Sequence, residues 1–126
     1  MNKRKNILFS EKLEPKEDIG GRFKDCRFYV PWYASEEPNL ESEMLDIRVI
    51  DNNKIEYTSN FTTLNFLKWV FEKNKRSGEC ADGTYFCMSR TVIVESLSQE
   101  NIKRTIEELI DNYEFNDYFT KSKPQK

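Results

Sequence analysis

Apolar and polar positions alternate from Met44 to Ile50 (MLDIRVI), with Leu45, Ile47 and Val49 on one face and Met44, Asp46, Arg48 and Ile50 on the other. A period of two marks a half-buried strand. Asp51-Asn52-Asn53 supplies turn residues, and Lys54 to Ser59 (KIEYTS) reads as the returning strand, with Ile55 and Tyr57 on one face. The pair is the clearest hairpin in the chain. Upstream, Arg27 to Tyr33 (RFYVPWY) reads as an aromatic-rich strand. Its Pro31 predicts an edge position or a bulge, because proline has no N–H for a ladder.

The period then lengthens. Asn60, or alternatively Thr62, is the expected N-cap of a helix in which Leu64, Leu67 and Phe71 form a stripe, with Phe66 and Val70 beside it. Trp69 falls inside this pattern and reads as core. Lys73, Lys75 and Arg76 suit the negative end of the helix dipole, and Gly78 is the expected stop. Thr91 to Val94 reads as a strand buried on both faces. Ser98 is an N-cap, and Leu97 with Ile102 matches a hydrophobic staple. Ile102, Ile106, Leu109 and Ile110 give a second helix stripe ending near Asn112. Tyr113 to Phe119 (YEFNDYF) is expected to pack down as an aromatic segment. The order strand, hairpin, helix, strand, helix predicts an α+β fold: an antiparallel sheet of about four strands with two helices packed on one face.

A chain of 126 residues suits a single domain. Residues 1–20, ending in Gly20-Gly21, read as a loosely ordered arm with room for one short strand, and residues 120–126 as a flexible tail. Only 37% of residues are hydrophobic, but the 13% that are aromatic compensate, since each ring buries a large area. The start MNKRKNILF lacks the apolar core of a signal peptide, and no stretch is long enough for a transmembrane helix, so a cytoplasmic location is expected. Cys26, Cys80 and Cys87 are an odd number at no metal spacing and read as free thiols, with a Cys80–Cys87 disulfide as the alternative in an oxidising compartment.

The net charge of -2 hides two segments without a basic residue. One carries Glu36, Glu37, Glu41, Glu43 and Asp46, the other Glu107, Glu108, Asp111, Glu114 and Asp117. This balance does not suit nucleic acid or an anionic membrane, which call for a basic face. Glu41 with Glu43, or Asp111 with Glu114, could share an ion, but no calcium loop surrounds them. A solvated acidic face, or docking to a basic protein, is the expected role. Trp32 and Tyr33 lead directly into the first acidic segment and suit an interface anchor if they are exposed. The chain contains no histidine. That removes Ser-His-Asp and Cys-His catalysis and most zinc sites. No metal, cofactor or small-molecule substrate is expected, and the chain reads as non-enzymatic.

The late strand and helix TVIVESLSQENIKRTIEELID, followed by YEFNDYF, resembles bacterial immunity proteins of contact-dependent growth inhibition and related polymorphic toxin systems. The likeness spans residues from about 27 to 119. It implies a cytoplasmic protein that binds one cognate toxin domain, often a nuclease with a basic cleft, and blocks it. The toxin-facing residues would be Trp32, Tyr33, Glu36, Glu37, Glu41, Glu43 and Asp46, with the second acidic segment in reserve. A small regulatory or scaffold subunit that self-associates is the alternative.

Overall fold

The computed structural model describes residues 7–16, 21–32 and 43–122. Ten elements follow one another: β1 (Ile7–Lys12), β2 (Arg27–Trp32), β3 (Leu45–Ile50), β4 (Glu56–Thr62), α1 (Leu64–Ser77), α2 (Glu79–Gly83), β5 (Thr91–Ile93), α3 (Gln99–Asp111), α4 (Phe115–Tyr118) and β6 (Thr120–Lys121). The fold is α+β, and among the described residues its sheet has six strands, where about four were expected. β1 to β4 form an antiparallel meander in sequence order. β5 adds to β4 in parallel at Asn60–Thr62, and β6 adds antiparallel to the other part of the same strand, at Tyr57 and Thr58.

Alternation fixes which face is buried. Leu45, Ile47 and Val49 are fully buried, and their β4 partners Phe61, Ser59 and Tyr57 point the same way. Phe28 continues the row beyond Val49 on β2. α3 closes this face with Ile102, Ile106, Leu109 and Ile110, the stripe expected from spacing. Ser98 accepts a hydrogen bond from the Asn101 N–H at 3.2 Å, the N-cap geometry expected. The aromatic segment also packs down. Phe115 and Phe119 stack at 4.5 Å, and Phe23, Tyr57 and Phe61 meet them edge-on.

Several expectations need correction. The arm expected over residues 1–20 is not loose where it is described: the short strand allowed for there is β1, which pairs along its whole length with β2 and is followed by the fully buried Leu13. The tail begins with a short strand, β6. The N-cap of α1 is Thr63, whose hydroxyl accepts from the Phe66 N–H at 3.3 Å. β4 runs on through Asn60 to Thr62, so the strand consumes both residues expected to cap the helix. Although α1 and α3 were expected to share one face of the sheet, α1 contributes no residue to the main core. Trp69 is 52% exposed and is not core.

α1 stops at Gly78, as expected, with φ +85° and its N–H bonded to the Asn74 carbonyl. The following turn, α2, holds Cys80, Ala81 and Asp82 in the left-handed region, at φ 53°, 52° and 60°. L-residues strain there, and three in succession are rare. Gly83 ends the turn at φ +76° and lies against α1 so closely that a Cβ would sit 2.5 Å from Lys75 Cγ and 2.9 Å from the Phe71 carbonyl oxygen. Only glycine allows this approach.

Candidate interaction surface

The strand directions bring separate parts of the chain to one end of the sheet. β2 ends at Trp32 where β3 begins at Leu45, because the two are antiparallel. β4 runs back toward that end and finishes at Thr62, and β5, parallel to it, finishes at Ile93. α1 then starts at Leu64, two residues beyond β4. The Thr62 hydroxyl donates to the Glu43 main-chain carbonyl at 2.8 Å, and Thr62 is itself in register with Ile93. The end of the first acidic segment is thereby tied to the end of β4, one strand from β5.

Two large apolar side chains are left open here. Leu64 is 64% exposed and Ile93 49%. They border one groove together with Asn65, Val94 and Glu95. The short β5 is therefore not the doubly buried strand expected from its Val-Ile-Val run. Val92 and Val94 turn inward, while Ile93 faces out. β5 is the last strand of the sheet among the described residues.

The expected contact residues divide. Asp46 is exposed on the face opposite the core, level with Asn60 on β4 and Thr91 on β5. Glu43 is half-buried at the sheet end. Trp32 ends β2 and pairs with Ile7. Tyr33, Glu36, Glu37 and Glu41 lie outside the described residues. The alternation around Asp46 was readable beforehand. Leu64 and Ile93 were missed, because helical and β-branched patterns say that a residue belongs to an element and not whether a neighbour covers it.

The reserve acidic segment has structural work. Glu107 Oε2 accepts the Glu14 N–H at 2.8 Å, and Asp111 Oδ1 accepts the Lys16 N–H at 2.7 Å. One turn earlier, Lys103 pairs with Glu11 at 2.7 Å, and this hydrogen bond raises the Lys103 pKa above its ordinary 10.5. α3 thus clamps the chain that leaves β1, at the sheet end opposite Ile93. Among the described residues, no group of three or more acids or cysteines is placed to hold a metal ion. Cys26 is buried and donates to the Phe23 carbonyl, Cys80 is half-buried, Cys87 is exposed, and none is in a disulfide. No described helix is long and apolar enough to cross a membrane.

The chain matches no family model, no curated protein and no solved structure.

Proposed function

We propose that this chain is an immunity-type inhibitor, a non-catalytic protein that binds one cognate bacterial toxin domain and occludes it. The contacting surface in this reading is the sheet end at which β2 finishes, β3 begins, and Leu64 and Ile93 border one groove. One observation carries it: the exposed apolar side chains of Leu64 and Ile93 stand at the same end of the sheet as Glu43, whose main-chain carbonyl is held by the Thr62 hydroxyl. An apolar centre with a charged rim is how specific protein interfaces are built. The acidic rim would steer encounter with a basic cleft, and the apolar centre would slow dissociation.

Affinity capture of the tagged full chain from its native host, read by mass spectrometry, tests the proposal. A single stoichiometric toxin fragment is the expected result. Changing Glu37, Glu41 and Glu43 together to lysine should then weaken that complex, most of all at low salt, without unfolding the domain. Recovery of the chain alone, as a stable dimer, would overturn the inhibitor reading in favour of a self-associating subunit.

A further inference from the structure

We infer that the outer edge of β5 is a strand-addition site for an extended, basic segment of a partner protein. The inference deepens the inhibitor reading and rests on its claim that the chain binds protein.

The backbone supplies the first reason. Val94 donates its N–H to the Thr62 carbonyl at 2.8 Å, so the polar groups of Val94 turn toward β4. Backbone polar groups alternate sides along a strand, so the N–H and C=O of Ile93 turn the other way, onto the open edge. No strand lies beyond β5 among the described residues. An unpaired edge is a template for another extended chain, which gains main-chain hydrogen bonds there.

The shape beside the edge supplies the second. A groove of about 460 Å³ runs between β5 and α3, bordered by Ile93, Val94, Arg104, Thr105 and Leu109. A second continues from Ile93 and Leu109 past Val92 to Tyr118. Together they follow the whole strand, with apolar side chains toward the core and space for an added strand above them. Alternate side chains of such a strand would rest on Leu109 and Val92.

Charge selects the occupant. Among the described residues, the charged side chains along the two grooves are Glu95, Glu108, Glu114 and Arg104. Three carboxylates against one guanidinium favour a segment in which Lys or Arg alternates with β-branched residues. An acidic strand would meet like charge.

The experiment uses the full 15N-labelled chain and two synthetic peptides, Ac-KVKIKVK-NH2 and its acidic counterpart Ac-EVEIEVE-NH2. Amide hydrogen exchange is followed by NMR. The basic peptide is expected to slow exchange of the Ile93 amide, and the acidic peptide to leave it unchanged. Ile93→Pro removes the outward N–H and keeps the Val92 and Val94 bonds to β4, so affinity for the basic peptide should fall about tenfold, the weight of one or two backbone hydrogen bonds. Ile93→Lys keeps the N–H but sets a cation against the peptide. It should weaken binding too, and it keeps the test open if the proline variant does not fold. Equal response to both peptides, no protection at saturating peptide, or protection that grows with protein concentration alone (a second copy as occupant) would overturn the inference. Toxin capture that survives Ile93→Pro would also overturn it while leaving the inhibitor reading intact, and a basic peptide that binds when no toxin is captured would do the reverse.

Discussion

The phenol of Tyr57 donates a hydrogen bond to Asp51 Oδ2 at 3.1 Å, across the turn between β3 and β4. Asp51 is 3% exposed, and its other oxygen accepts the N–H groups of Asn53 and Ile55 at 2.9 and 3.0 Å. Arg22 reaches the same pair from the segment before β2, with Nε 3.7 Å from Asp51 Oδ2 and Nη2 donating to the Tyr57 oxygen at 2.7 Å. One carboxylate therefore holds a turn, a phenol and a distant guanidinium. Asp51→Ala is expected to cost about 2–4 kcal/mol, because it leaves several donors and a cation without their acceptor. Urea denaturation of the two proteins measures it.

Burial pushes the Tyr57 pKa above its ordinary 10.0, and the neighbouring Asp51 charge adds to this while Arg22 opposes it. The unfolded chain then releases the phenolic proton at lower pH than the folded one, so this stabilisation is complete below pH 10.0 and is lost as pH rises through the folded value. Tyr57→Phe should be less stable than wild type at neutral pH, and the gap should narrow in alkali. Paired denaturation curves from about pH 8 to about pH 11 would show it. A gap that is constant across that range would contradict the raised pKa.

The two helices should differ sharply under truncation. Ile106 of α3 is fully buried in the core, and Ile106→Ala should cost about 2–5 kcal/mol. Trp69→Ala on α1 should cost less than about 1 kcal/mol, despite removing a larger side chain, because the ring is half-exposed and meets Phe66 at 5.9 Å outside the core. Thermal melts of both variants decide the order.

Gly83→Ala should destabilise by about 2–3 kcal/mol, since it adds both a left-handed φ penalty and a collision with the α1 backbone. Gly21→Ala is the control. Gly21 also has a positive φ, +74°, but nothing lies within 4 Å of its added Cβ, so its cost should stay near 1 kcal/mol. Equal costs at the two sites would mean that the close approach to Lys75 carries no energy.

Asp111→Ala should speed exchange of the Lys16 amide by about tenfold, as a solvent-facing hydrogen bond is lost, while global stability changes by less than about 1 kcal/mol. Toxin capture should be unaffected, because this clamp sits at the far end of the sheet. Lost capture would transfer the contact surface to the second acidic segment.

Much of the fold was legible because period and burial agree in its central part. Leu45, Ile47 and Val49 alternate, the Ile102–Ile110 stripe repeats at helical spacing, and Ser98 sits where a cap belongs. The short strand allowed for within the first 20 residues could not be placed, because its charged neighbours mask a strand whose partner lies on β2. The extension of β4 was hidden by Asn60 and Thr62, residues that suit a strand edge and a helix cap alike. Coverage was the larger blind spot. Trp69, Leu64 and Ile93 belong to apolar patterns, yet no segment that would cover them is specified locally. The same gap bears on the candidate site: Asp46 could be placed on the outer face from alternation alone, whereas its alignment with Thr91 across β4 depends on the parallel β4–β5 pairing.

The turn at Cys80, Ala81 and Asp82 places ordinary amino acids in the conformation natural to their mirror images. A chain assembled chemically with D-alanine at position 81 would enter that geometry without the roughly 1–2 kcal/mol an L-residue spends there. Stereochemical inversion of one centre, which disrupts a right-handed helix, would here tighten the link between α1 and the strand that follows.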